Sequence, residues 1–460
     1  MFNMENAMLI WRDKNLRVTI WKIAWPAMGE MILYMLVGVV DVAVVGRLGA
    51  VPLAAASLGA EIFFSLVLFL NALGIGTSIL VAQAKGANRL DEAALVAGQS
   101  LLMALFIGLT AAVLTQVYLL QILALFRVEA AVSQQALAYL RITLALVPPA
   151  LIYYIISSIF RGLGRTDIPM KIGIITNSFN VVGDLVLVFG WFGFPAMGVA
   201  GAAVATSIAH FLGFILSLWA LMSNCTELTV PWRSIFALRL NIIRRVLSLG
   251  IPGLVEQLFT TAAQLTSTYL LVFLGTVAYA SHQVAIVVES ISFMPGFGLA
   301  IAATTLVGQA VGASDRNKIS QNSRGCLEMA GILMGFIGVL FALFPYFIAS
   351  LFTDEPDIIR TAGLLVRIAS LEQLTIAATM VLSGILKGSG DTRTPMYIST
   401  VFTWLVRIPL MYLFIMVLHW PVASIWVLFV IDWGLRGVVY AIIYRRKKWL
   451  EKAILAQSAK

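Results

Sequence analysis

Twelve stretches of 20 or more residues, each almost free of charge, follow one another along the whole chain. They fall near 20–46, 54–81, 93–120, 134–159, 168–191, 197–222, 243–273, 278–308, 322–350, 359–385, 396–418 and 421–443. About 20 apolar residues in a helix cross a hydrocarbon core. Membrane β-strands would be shorter and would alternate apolar with polar residues, which these stretches do not. The expected class is an all-α polytopic membrane protein with twelve transmembrane helices. Composition agrees, because 12% of the 460 residues are charged, against about 25% in a soluble domain.

A formal net charge of +9 would suit a nucleic-acid partner, but its placement argues otherwise. The N-terminal arm, the C-terminal tail and every second connection together hold 24 Lys and Arg, whereas the other loops hold Arg47, Arg127 and Arg360. By the positive-inside rule both termini are expected on the cytoplasmic side of a cytoplasmic (inner) membrane, which also requires an even number of spans. The tail "YRRKKWLEK" reads as a lipid-headgroup anchor of the bilayer, with no nucleic acid as partner. The first twenty residues lack a signal-peptide core and cleavage site, so no removed segment is expected. Cys225 and Cys326 fall on the reducing side of this topology, and no disulfide or metal framework is expected.

The chain is written twice. Sliding it against itself by 226 residues brings Pro26 onto Pro252, Glu30 onto Glu256, Gln83 onto Gln309 and Arg141 onto Arg367 without a gap. "RGLGRTDIPM" at 161 then lies over "KGSGDTRTPM" at 387. Each repeat holds six spans, and because six is even both copies enter the membrane in the same sense. Two six-helix lobes related by a pseudo-twofold axis along the membrane normal are expected, with a cavity between them near the midplane. The expected divisions are an N-lobe at 1–222, a cytoplasmic linker at 223–242, a C-lobe at 243–443 and a basic tail at 444–460.

That architecture suits a transporter that alternates access, although fold alone does not fix function. No G-x-x-x-x-G-K-[ST], H-E-x-x-H or G-x-S-x-G occurs, so nucleotide-driven pumping and intramembrane hydrolysis find no support and no cofactor is expected.

A charge at the bilayer centre costs about 2.5–3.5 kcal/mol on insertion scales, so ionisable residues deep in spans are candidates for function. Glu30 and Asp41 lie eleven residues apart, close to three helical turns, and Tyr34 shares their face. Asn177, Asn180 and Asp184 form one stripe of the fifth span. Asp41, Asn180 and Asp184 can hold one small cation through oxygen atoms, Na⁺ included. Alternatively the carboxylates share a proton, since like charges in a low-dielectric site resist double ionisation. The second repeat carries Ser267, Val406 and Leu410 at these positions, so the fold does not need the polar groups.

Glu30 and Glu256, four residues after Pro26 and Pro252, admit two readings: attraction of cations into the cavity, or satisfaction of backbone groups freed by the prolines. Arg141 and Arg367 read as interface anchors. Glu61, Glu289, Asp432 and Arg436 read as satisfied polar contacts near helix ends, and Arg407 as a partner for Glu372 or Glu256. His210, His282 and His419 are too dispersed for a metal site. Rings and thioethers, with Met31, Tyr34, Tyr153 and Phe259 beside Glu30, Glu256 and Glu372, would suit flat cationic substrates.

Several segments resemble the multidrug and toxic compound extrusion (MATE) family. They are "PAMGEMILYMLVGVVDVAVVGRLGAVPLAAASLG" from 26, the paired "VAQAKGA" and "VGQAVGA", "FRGLGRTDIPM", and "MGVAGAAVAT" at 197. The resemblance covers essentially the whole chain. It implies export of organic cations, small-molecule drugs of cationic and aromatic character, driven by inward H⁺ or Na⁺ in a monomer. It also implies an N-lobe cation site, matched here by Asp41, Asn180, Asp184 and, as fourth member, Thr206. NorM-like relatives carry acids on spans seven and ten, where Thr260 and Ile376 stand by spacing, and this departure favours a DinF-like member. A lipid-linked oligosaccharide flippase is the alternative and would need a more cationic cavity; a membrane-embedded enzyme or receptor would need a constellation the repeat does not supply.

Overall fold

The computed structural model describes residues 13–223 and 226–458, and every regular element among them is a helix. Ten helices are each long and apolar enough to cross a membrane. Two bent pairs pass the same test together, giving twelve if each pair is one span. The chain is an all-α multi-pass membrane protein.

In chain order the first repeat forms α1 (Lys14–Gly46), α2 (Ala50–Asn71), α3 (Leu73–Gly86), α4 (Leu90–Val117), α5 (Leu119–Leu125), α6 (Ala130–Ala145), α7 (Val147–Gly162), α8 (Asp167–Phe189) and α9 (Val199–Met222). A short α10 (Trp232–Phe236) leads to α11 (Leu240–Val272), α12 (Thr276–Gly312), α13 (Arg316–Leu343), α14 (Pro345–Ser350), α15 (Pro356–Ala369) and α16 (Gln373–Gly388). Then come α17 (Arg393–Val401), a π-helical turn Phe402–Arg407, α18 (Ile408–Tyr412), a second π-helical turn Leu413–Val417, α19 (Val422–Arg445) and α20 (Lys448–Ser458).

The bent pairs are α6 with α7, at 53°, and α15 with α16, at 54°. Leu146 and Glu372, at the two breaks, occupy the same place in the repeats. In the first, a proline in the opening turn of α7 lacks an N–H and clashes with the preceding turn. In the second no proline is present. There the Ser370 hydroxyl donates to the Arg367 carbonyl at 2.6 Å and the Gln373 amide to the Ala369 carbonyl at 3.1 Å, so side chains serve the backbone where the helix is interrupted.

Contacts gather the chain into two compact units that do not follow the repeat boundary. One, the N-unit, is Gly29–Ile251; the other, the C-unit, joins the chain up to Met28 to Pro252–Lys460. The chain thus passes between units inside α1 and inside α11 rather than in the 223–242 linker. The physical reason is visible in the packing. Ile20, Ile23 and Ala24 of α1 are buried in the C-unit core with Leu299, Ala303 and Cys326. The linker is held by the N-unit, where fully buried Gln99 donates to the Ser234 and Ala237 carbonyls, both at 2.9 Å, and accepts from the Arg239 N–H at 2.8 Å. Cys326 is buried and free; Cys225 lies outside the described residues.

Candidate functional site

The stripe on α8 expected from spacing meets α9 because the two helices approach closely. At Gly201 an added Cβ would fall 2.6 Å from the Leu187 carbonyl oxygen. This brings Asn180 and Asp184 to Thr206, all three buried. The Asn180 amide takes the orientation in which its NH₂ donates to Asp41 Oδ1 at 3.2 Å and its oxygen accepts from the Thr206 N–H at 3.3 Å. The opposite orientation offers only a 3.4 Å contact with the Thr206 hydroxyl.

Asp41 and Asp184 lie close enough on neighbouring helices for their charges to repel. Both Asp184 oxygens are buried and receive no hydrogen bond. A fifth group completes the cluster. Tyr139, buried, lies near Thr206 and both carboxylates. Its ring fits over α2 because residue 59 is glycine, where a Cβ would stand 2.4 Å from the ring. Tyr139 was not among the residues expected from the sequence, although the repeat comparison holds the signal, since its counterpart is Leu365.

The cluster therefore offers two carboxyls, an amide and two hydroxyls, with no Lys or Arg among them. Such a donor set suits a proton or a small hard cation. Among the described residues no group of three or more His, Cys, Asp or Glu is placed to hold a metal ion.

The remaining candidates are distributed differently. Glu30 does not face Asp41's cluster; Arg161 Nη2 donates to its Oε1 at 2.6 Å. In the C-unit Lys387 Nζ stands 2.9 Å from Glu256 Oε2. Neither glutamate is thus an unpaired charge. Tyr153 is buried against Tyr154, with ring centroids 5.2 Å apart, and half-buried Met31 and exposed Tyr34 follow on α1. Tyr34 meets Phe64 edge to face at 5.6 Å. Phe64 and Tyr154 each approach His210, at 6.0 and 6.1 Å, so an aromatic surface runs across the N-unit. Phe259 belongs to the C-unit, where its carbonyl accepts from Trp404 Nε1 at 3.1 Å. Arg141 and Arg367 are exposed.

Two expectations for the C-unit are corrected. Arg407 pairs with neither Glu372 nor Glu256: its Nε donates to Asp432 Oδ2 at 2.9 Å. Asp432 and Arg436 sit in the middle of α19, not near its end, and Asp432 is fully buried. Arg436 also donates to Asp432, at 3.2 Å, and to the Thr403 hydroxyl, at 2.9 Å. Thr403 and Arg407 both belong to the first π-helical turn, whose wider winding re-aims the side chains of this span. Phe429 lies 4.8 Å from the Arg407 guanidinium carbon and Trp433 5.3 Å from that of Arg436. Fully buried Glu372 lies near buried Glu289, and neither of its carboxyl oxygens has a hydrogen-bond partner.

Comparison with known proteins bears on the family and the fold. The MatE family model matches residues 26–186 and again residues 252–413, beginning each time at one of the two paired prolines and together covering more than half of the chain. A probable multidrug resistance protein NorM from Thermotoga maritima is 29% identical over 96% of this chain and 95% of its own length. The multidrug resistance protein MdtK of Yersinia pseudotuberculosis is 27% identical over 90% of this chain and 91% of its own. Among solved structures, a MOP superfamily transporter from Pyrococcus furiosus superposes with a TM-score of 0.87 at 21% identity, covering 96% of this chain and 97% of that one. An outward-facing multidrug resistance MATE family transporter gives 0.87 at 22% identity over 96% of each chain. A fold written twice, matched twice by one family and along nearly its whole length by transporters, places the chain in the MatE family, whose members are transporters rather than enzymes.

Proposed function

We propose that this chain is a secondary active multidrug efflux antiporter that exports organic cations in exchange for H⁺ or Na⁺ by alternating access. The observation that carries this reading is the oxygen cluster of half-buried Asp41 with buried Asn180, Asp184, Thr206 and Tyr139 in the N-unit. Two neighbouring carboxyls without a basic partner are unfavourable when both are ionised and bare. Inward-moving H⁺ or Na⁺ relieves that repulsion. Loading the site draws Asp41 and Asp184 together and rearranges α1 beyond Pro26, which lowers affinity for the drug and releases it outward. When the cation leaves to the cytoplasm, the emptied carboxylates favour the drug-binding arrangement again.

Affinity for flat cations is supplied by aromatic surface more than by fixed charge, because Glu30 and Glu256 are each paired with a base. Tyr34, Phe64 and Tyr154 offer faces for stacking and cation–π attraction. The distribution of Lys and Arg supports insertion in the cytoplasmic membrane with both termini inside.

The test is transport of ethidium by the purified protein in liposomes, with pH and Na⁺ gradients imposed separately. Uptake driven by either gradient is expected, and the gradient that works identifies the coupling ion. Ethidium movement indifferent to both gradients would sink the antiporter reading.

A further inference from the structure

One ion pair is written twice. Glu30 and Arg161 in the N-unit correspond, 226 residues on, to Glu256 and Lys387 in the C-unit. The acid follows a proline inside a long helix, Pro26 in α1 and Pro252 in α11. The base closes the fourth span of the same repeat, near the end of α7 and of α16.

The repeat comparison separates what belongs to mechanics from what belongs to one lobe's chemistry. Asp41, Asn180 and Asp184 have no acidic or amide counterpart in the second repeat, whereas both members of this pair do. Arg in one copy and Lys in the other shows that opposite charge is retained while the planar guanidinium fork is not.

Each pair also lies just past the point where its helix changes unit. Up to Met28 α1 packs in the C-unit, where a Cβ at Gly298 would come within 2.2 Å of the Met28 side chain. Up to Ile251 α11 packs in the N-unit, where a Cβ at Gly76 would meet the Val246 carbonyl oxygen at 2.4 Å. Glu30 and Glu256 are respectively the second and fifth residues beyond those crossings. The prolines remove the hydrogen bonds to the Lys22 and Ser248 carbonyls, so each helix bends most easily between its glycine-packed segment and its ion-paired segment. Neither pair is fully enclosed, with side-chain exposures of 12–14% for the first and 19–21% for the second.

We propose that Arg161 and Lys387 are positioning residues that latch α1 and α11, each just beyond its proline, to the fourth span of the same repeat, and that these latches open and close during the transport cycle. This rests on the alternating-access reading above.

The test uses the full chain with spin labels at L36C and F106C, both exposed N-unit positions on α1 and α4, in a background without native cysteines. Distance distributions and ethidium transport are measured for R161E, E30R, the exchange E30R/R161E and R161K; K387E, E256K and E256K/K387E are assayed for transport. Each reversal is expected to lower transport about tenfold or more, as loss of one strong charge pair does. R161E and E30R should also shift the distance distribution. Each exchange is expected to restore transport to within about threefold, the N-unit exchange should restore the distribution too, and R161K should behave as the native chain. Should R161E not fold, R161Q is expected to give the same shift. Unchanged distances and transport in the reversals, or a folded exchange variant that restores neither, would overturn the proposal. Failure of native protein to move ethidium under any gradient would count against the antiporter reading alone, because the spin-label distances test the N-unit latch without transport.

Discussion

Thr206 and Asp432 stand at the same place in the two repeats and meet opposite chemistry. Thr206 offers neutral oxygen to a cluster of acids without a base, while Asp432 accepts from two arginines of its own unit. The N-unit cluster holds acids without a base, whereas the C-unit carries its cations covalently.

Asp41→Asn and Asp184→Asn should each abolish gradient-driven ethidium extrusion while leaving the protein folded, because the amide keeps the shape and removes the charge. Efflux from cells, together with elution profile and thermal unfolding of the purified variants, checks this. A variant that protects cells fully would remove its residue from the coupling step.

Tyr139→Phe tests the group that the sequence did not suggest. Losing one hydroxyl from the cluster should weaken coupling-cation binding by about tenfold, the equivalent of one hydrogen bond of about 1.4 kcal/mol. The half-saturating Na⁺ concentration, or the pH midpoint of transport if H⁺ couples, should move while the maximum rate changes less.

Asp432→Asn leaves Arg407 and Arg436 without their acid in a buried setting. Breaking such a group from one side costs about 3–5 kcal/mol, so thermal unfolding in detergent should occur at clearly lower temperature. Replacing all three residues by apolar side chains of similar volume should recover most of the loss. Equal destabilisation of the triple variant would show that the charges do more than neutralise one another.

Gln99→Ala should release the linker. Its amide satisfies three backbone groups of residues 234–239, and each orphaned group costs about 1–3 kcal/mol. Limited proteolysis is expected to cut there faster in the variant than in the native chain.

The spans and the duplication were legible in sequence because lipid imposes length and apolarity on every helix, and a repeat preserves its punctuation. The α8 stripe was legible for the same reason, since Asn180 and Asp184 break an apolar pattern at helical spacing. Tyr139 was not, because an aromatic residue in a membrane helix breaks no pattern; only its hydroxyl, placed by Gly59 and Thr206, sets it apart. The fate of Glu30 was equally hidden: its partner Arg161 lies 131 residues away. The partner of Arg407 was missed because the π-helical turn that carries it shifts the face of its span, and no sequence period reports that shift; Asp432 lies at the centre of the span 421–443 and was misread as near its end. Neither bent span was expected from the sequence: the bend at α7 follows a proline, whereas at the one before Gln373 side chains bond to carbonyls.

The crossing inside α1 bears on biosynthesis. Gly29–Ile251 is continuous, so the N-unit holds all its residues once the ribosome has passed position 251. The C-unit is not continuous. Its earliest piece, the start of α1 with Ile20 and Ala24, is made first and must wait for α12 and α13 before its apolar face is covered by protein. A chain cut between the repeats would leave each product with a helix segment whose partner lies in the other, so the two should be recovered together or not at all.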